Sequence, residues 1–328
     1  MSVITADTLL YYNTMQTKFS EMLRASFKSA DTEEWLDVYF TRPIGLAFAL
    51  LWARLGVHPN VITILSMFLG LGAGWMFYYT DLWHNIAGII LLMFANFCDS
   101  TDGQLARMTG KKTLVGRVLD GLASDVWFFA VYLGIVFRLF PQDIPFLPGV
   151  KWGWWALLLC AIAGLICHSM QCRLADYYRQ IHLYFLLGKS NSEFDNYESQ
   201  HAIYESLPKK GAFWARAFYG NYAKYCRAQE KSTPCFQQFY SNIKARYPEV
   251  GDMPQELRDD FRRGSLPLMK YTNLLTHNSR AITLFIGCLL NVPYIYPLFE
   301  IVVLSAIYWY MHRRHEALCV RLNEKYGR

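Results

Sequence analysis

Four aspartates, Asp99, Asp102, Asp120 and Asp125, crowd the stretch "NFCDSTDGQLARMTGKKTLVGRVLDGLASDVWFF" at residues 96–129. Asp99 and Asp102 are three apart, so a helix puts them on one face. Gly103 and Ala106 leave that face thin, and Arg107 follows. After a short basic loop, Gly116 opens a second helix that carries Asp120 and Asp125. Two such helices can aim carboxylates at one point. Hard oxygen ligands converging in this way suit Mg²⁺ or Mn²⁺, and the cation would offset the repulsion among the acids. Small residues beside them let a flat base or a diphosphate approach the backbone. Acids and small residues together would suit a phosphorylated ligand that carries a base.

The acids stand at the ends of hydrophobic helices. "IAGIILLMFANF" delivers the chain into the motif and "VWFFAVYLGIVF" carries it away. The 328-residue chain is 53% hydrophobic, with 22 Phe, 22 Tyr and 10 Trp, a composition far from that of soluble domains. A run of about 18 apolar residues is long enough to cross a bilayer. Such runs predict six crossings, near 60–79, 84–98, 118–137, 153–172, 281–298 and 297–312. With a cytoplasmic start, the outer loops hold only Arg138 and Lys151 of the 32 Lys and Arg residues, as the positive-inside rule requires. Both termini and the four aspartates are then cytoplasmic. The net charge of +6 suits an anionic leaflet or anionic substrates, and no basic stripe interleaves with the aromatics to argue for nucleic acid.

These features predict an all-α polytopic membrane protein with four segments. Residues 1–57 are cytoplasmic and interfacial. Within them Trp35, Leu36, Tyr39 and Phe40 share a face, and Pro43 opens a helix too short to span, lying on the leaflet. Residues 58–188 hold the first four transmembrane helices and the motif. Residues 189–270 are a polar, aromatic-rich helical insertion, with helices at 211–229, 233–246 and 253–264; Asp252 caps the last, and Pro254 sits in its first turn. Residues 271–328 hold the last two spans and a cytoplasmic tail. The eight cysteines form no CxxC pair and read as reduced core thiols. Residues 1–30 begin polar and predict no cleavable signal peptide.

A single acid at the end of a span is ordinarily a solvated cap. Seven residues at fixed spacing are another matter. The pattern D-x2-D-G-x2-A-R-x8-G-x3-D, made by Asp99, Asp102, Gly103, Ala106, Arg107, Gly116 and Asp120, arises by chance on the order of once in a million chains of this length. It resembles the signature of the CDP-alcohol phosphotransferases, integral membrane enzymes of phospholipid synthesis. "HPNVIT" at 58–63 resembles that family's Pro-Asn-x-x-Thr start to the first transmembrane helix. The resemblance covers about 33–175 well and 271–315 only in span count and placement; the insertion has no counterpart in it.

The resemblance implies a six-helix membrane fold, a homodimer, and a polar cavity open to the cytoplasm. It implies that Asp99, Asp102 and Asp120 hold a pair of Mg²⁺ or Mn²⁺ ions gripping the diphosphate of a CDP-linked substrate. It implies room for the nucleotide at Gly103, Ala106 and Gly116, with Asn60 beside them, and substrate phosphate at Arg107 and Arg173. A fourth aspartate would ligate metal and deprotonate the acceptor alcohol, which attacks the phosphorus distal to CMP; a phosphodiester lipid forms and CMP leaves. The expected pairing is a CDP-activated lipid with an inositol-type polar acceptor. The alternatives are transfer of a choline- or ethanolamine-type headgroup from its CDP donor to diacylglycerol or a ceramide-like lipid, and a catalytically inactive membrane scaffold.

One position departs from the family pattern, which closes with D-x3-D. Residue 124 is Ser124, and the acid is Asp125. On a regular helix residue 124 lies about 40° round from Asp120 and residue 125 about 140° round. A π turn between 120 and 125 would bring Asp125 into line as metal ligand and base. His168, inside the fourth span, reads as a hydrogen-bonded structural residue rather than a base.

Overall fold

The computed structural model describes residues 19–327 apart from 25, 28, 112, 146, 190 and 191; the reading of residues 1–18 lies outside them. The described residues are helical and carry no strand. A π-helical stretch, Asp37–Thr41, runs into α1 (Arg42–Arg54), with Pro43 in its first turn. Then follow α2 (Pro59–Met76), α3 (Leu82–Thr109), α4 (Leu114–Leu139) and α5 (Trp154–Leu187). Four helices fill the polar interval: α6 (Tyr197–Ser206), α7 (Phe213–Ser232), α8 (Pro234–Arg246) and α9 (Gln255–Leu274). The chain closes with α10 (His277–Leu289) and α11 (Ile295–Tyr326).

Five of these, α2, α3, α4, α5 and α11, are long and apolar enough to cross a membrane, and the protein is an all-α polytopic membrane protein. Uninterrupted Leu, Ile, Phe and Ala runs satisfy every backbone group within the helix, as a bilayer demands. The crossing expected at 281–298 is broken. Its helix α10 ends at Leu289 after 13 residues, about 20 Å of rise against a hydrocarbon core of about 30 Å. Asn291 then takes a left-handed conformation, φ 58°, and the chain turns before α11.

Small residues let α2 and α4 cross closely. A Cβ on Gly134 would lie 2.2 Å from the Gly74 carbonyl oxygen, so the backbones meet where lipid offers no competing packing. Arg138, expected in an outer loop, is instead buried in the last turn of α4. Its guanidinium donates to Asn85 Oδ1 at 2.7 Å, Asn291 Oδ1 at 2.8 Å and the carbonyls of Phe77 and Cys288. One cation thus ties the ends of α2, α3, α4 and α10 together.

There are two large cores. One joins Ala73, Phe77, Leu92, Trp127, Val131, Cys160, Leu284 and Tyr296 within the membrane helices. The other joins the polar halves of α5 and α11 to the insertion through Tyr178, Phe185, Phe236, Phe239, Phe261 and Met311. In the insertion, α7 and α8 stand close to their expected ranges, α9 runs on to Leu274, past the expected end at 264, and α6 is in addition. They share a core with α5 and α11 instead of burying one of their own. Asp252 lies in a short turn before α9 and makes no cap; Pro254 occupies the N-cap position. The N-terminal segment is pinned to this body by Asp31, which accepts from Arg262 at 2.7 and 2.9 Å and meets His182 Nε2 at 3.1 Å. The Arg262 guanidinium holds the Asp31 carboxyl below the usual carboxylate range.

Candidate active site

The motif's backbone is set by its caps. The Thr113 hydroxyl accepts from the Gly116 amide at 2.9 Å and starts α4, as N-cap threonines do. Gly110, at φ 67°, ends α3 three residues earlier. His58 caps α2 through Nδ1, which accepts from the Asn60 amide at 3.2 Å. Three helix ends are thereby brought to one place. On the outer side, α1 packs on α3, with the Thr101 hydroxyl 3.3 Å from the Gly45 carbonyl.

The carboxylates of Asp99, Asp102 and Asp120 each offer an oxygen within 4.8 Å of the other two. Asp102 is buried at 4% exposure, Asp99 is half-buried and Asp120 is exposed, so the group forms a floor open on the α4 side. The Thr63 hydroxyl, from the first turns of α2, donates to Asp102 Oδ2. Three carboxylates this close repel one another when ionised, and an all-oxygen set of this span is of the kind that can hold a hard divalent ion. Arg107 adds its charge beside Asp102 and Asp120.

The small residues keep space around the acids. A Cβ on Gly116 would stand 2.8 Å from Asn60 Oδ1, which places Asn60 directly against the start of α4. A Cβ on Gly103 would meet only Arg107 Nη1, at 3.5 Å, and one on Gly121 nothing within 4 Å. Ala106 lies one turn along the same helix and is partly buried. Arg173, on α5, has its carbonyl bonded by Gln229 Nε2 of α7 at 3.3 Å, and its charge acts on Tyr308 of α11.

Asp125 does not join the group. α4 is regularly α-helical from Leu114 to Leu139, so no π turn carries Asp125 round. It stays exposed, on the side facing His168 of α5. π turns exist elsewhere. Ile162–His168 in α5 and Glu300–Leu304 in α11 pack against each other. They deliver a buried network: Arg280 Nε donates to Glu300 Oε1 at 2.7 Å, Tyr296 to the same oxygen at 3.1 Å, Tyr132 to Oε2, and His168 Nδ1 lies 3.2 Å away. Gln171 Oε1 takes Arg280 Nη2 at 2.6 Å. His168 is thus a structural hydrogen-bonding residue.

A second set of close ligand-type side chains, His315, Glu316 and Cys319, is buried in α11. Glu316 Oε2 accepts from the Cys235 amide at 2.8 Å, capping α8, and the His315 ring stacks on Tyr178 at 3.8 Å. The first contact is a helix cap and the second a stacking of rings.

Sequence reasoning passed over Thr63, although its motif was visible. It also missed the Arg280–Glu300 pair, for which one chain offers no local signal.

A helical membrane protein with three carboxylates gathered at the polar ends of its helices defines the class. Residues 56–184 match the family model described as CDP-alcohol phosphatidyltransferase, and this stretch of the chain is a domain of that family. Over 96 residues the chain is 38% identical to an archaetidylinositol phosphate synthase of Pyrococcus horikoshii, covering 29% of this chain and 50% of that protein. Over 69 residues it is 38% identical to an uncharacterized protein of Aquifex aeolicus, 21% of this chain and 34% of that one. The chain thus spans half or less of the curated relatives it matches.

Proposed function

We propose that the protein transfers a substituted phosphate from a CDP-linked donor to an alcohol, releasing CMP, in phospholipid synthesis. The observation that carries this reading is the convergence of Asp99, Asp102 and Asp120 within the family's matched domain. In this reading the three aspartates hold Mg²⁺ or Mn²⁺. The ions would neutralise the donor's diphosphate and so favour departure of CMP. Thr63 fixes the Asp102 carboxylate, while Asn60, Gly103, Ala106 and Gly116 shape the nucleotide's place. Arg107 pairs with a phosphate oxygen. The acceptor oxygen forms a bond to the distal phosphorus as the bond from that phosphorus to the CMP oxygen breaks. Asp125 takes the acceptor's proton if the acceptor lies between α4 and the π turn of α5, the side on which Asp125 stands.

The named activity of the Pyrococcus relative supports an inositol phosphate acceptor and a CDP-activated lipid as donor. The positive charge gathered in the loops on the acids' side supports a cytoplasmic site. The test is release of labelled CMP by the purified protein with Mg²⁺. CDP-activated lipid plus inositol phosphate should give turnover that EDTA removes. Turnover only with CDP-choline or CDP-ethanolamine and diacylglycerol would reverse the donor assignment, and CMP release from neither pair would favour an inactive scaffold.

A further inference from the structure

Away from the acids, between α9 and α11, lies an open cavity of about 340 Å³. Arg263, Lys270, Arg314 and Arg321 line it together with Tyr271 and Tyr310, and no acidic residue does. On α9, Arg263, Lys270 and Tyr271 repeat at helical spacing; on α11, Tyr310 and Arg314 are four apart. Gly264 lets the two helices close at one point, since a Cβ there would lie 2.3 Å from Leu318 Cδ1. The longer side chains on either side of that contact leave the hollow.

The cations are largely uncommitted. Arg314 and Arg321 make no hydrogen bond or ion pair among the described residues. Lys270 lies over the Tyr271 ring at 5.0 Å, and Arg263 reaches Asp260 only at 3.5 Å through an exposed pair. The nearby acids of α9 are drawn elsewhere: Glu256 and Asp260 both accept from Lys325 at 2.8 Å. Lys270, Arg314 and Arg321 thus line the cavity without an acidic partner, and a phosphate takes several charge-assisted hydrogen bonds from arginine.

The cavity's place selects the kind of anion. Trp309 and Tyr310 are 53% and 49% exposed at the end of the apolar part of α11, where amphipathic rings mark the edge of a bilayer. Arg314 follows one turn beyond. We propose that this cavity binds the phosphate of an anionic phospholipid headgroup, one lipid per chain, at a site separate from the aspartates. Charge complementarity and depth together commit it to lipid: a basic hollow between helices at this level is what an anionic headgroup fits.

Full-length protein in a non-ionic detergent, titrated with phosphatidic acid and read by native mass spectrometry, tests this. One phosphatidic acid should bind in preference to phosphatidylcholine. Arg314→Gln with Arg321→Gln should weaken it roughly twenty-five-fold, about fivefold for each cation lost. Asp102→Asn should leave it unchanged, which separates this lipid from one in the site of the acids. The double Arg→Lys variant, which keeps the charge, should retain binding and guards against misfolding. Equal binding in wild type and the Gln variant would overturn the proposal. So would loss in Asp102→Asn, or inorganic phosphate competing as strongly as the lipid itself.

Discussion

The Thr63 hydroxyl donates a hydrogen bond to the Asp102 carboxylate, joining the first turns of α2 to the acid-bearing end of α3. Asp102 is almost wholly buried, so this donor both orients one oxygen and leaves the other to a cation. A hydrogen bond to a charged group is worth about 1.5–3 kcal/mol. Thr63→Val should therefore lower kcat/KM for CMP release by about tenfold or more, and Thr63→Ser should restore most of it. Wild-type kinetics in Thr63→Val would remove Thr63 from the site.

Asp99→Asn, Asp102→Asn and Asp120→Asn should each abolish CMP release while the protein remains monodisperse in detergent with a cooperative melt. Each change removes one anionic oxygen ligand from a set spanning 4.8 Å. Near-wild-type turnover at saturating Mg²⁺ in any of the three would exclude that residue from the metal-binding set.

Asp125 stands on α4 away from the acid cluster, and Ser124 takes the turn position that the family pattern reserves for an acid. If Asp125 is the base, Asp125→Asn removes turnover yet keeps binding of the CDP donor, measured by equilibrium dialysis with labelled donor, and Ser124→Ala is mild. A dead Ser124→Ala beside an active Asp125→Asn would show that the proton leaves by another route.

Gly116 and Gly121 should respond in opposite ways to a methyl group. At Gly116 the Cβ meets Asn60 Oδ1 at 2.8 Å and Thr113 Oγ1 at 3.0 Å, so Gly116→Ala displaces either the nucleotide-side Asn60 or the cap of α4. KM for the CDP donor should rise about tenfold, and loss of the cap would cost about 1 kcal/mol. At Gly121 the added Cβ meets nothing, and Gly121→Ala should gain about 0.5–1 kcal/mol from helix propensity. Thermal melts and donor titrations of both variants check the contrast.

Arg280 and Glu300 are both fully buried and paired at 2.7 Å. Removing one partner of such a pair costs about 3–5 kcal/mol because the other charge is left without compensation. Arg280→Met and Glu300→Gln should each lower the melting temperature sharply. The double variant should lose much less than the sum of the two. Additive losses would mean that the charges do not depend on each other.

Much of this site was legible in the sequence. The helical face of Asp99 and Asp102, the restart at Gly116 and the apolar runs on either side are local patterns, and the structure brings those acids together. Thr63 was visible in "HPNVIT", but its partner lies 39 residues away, and no local rule names a partner. The π turn was expected from the misplaced Asp125, yet α4 is regular. π turns lie instead at Asp37–Thr41 and within α5 and α11. Arg138 was read as a loop cation because charge at the end of a span usually meets water; here the ends of α2, α3 and α10 supply acceptors to both of its terminal nitrogens. The helix read across 281–298 ends at Leu289 because the chain turns at Asn291-Val292-Pro293.

The π turns of α5 and α11 fall at the border between the two hydrophobic cores. Before Ile162, α5 packs within the membrane helices; after His168 it packs against the insertion, and α11 changes allegiance in the same way at Glu300–Leu304. A π turn holds one residue more than its α-helical equivalent, and one residue corresponds to about 100° of rotation. The paired turns therefore act as phase couplings. The face that α5 and α11 show to the membrane bundle is thereby offset from the face they show to the polar body, relative to an unbroken α-helix.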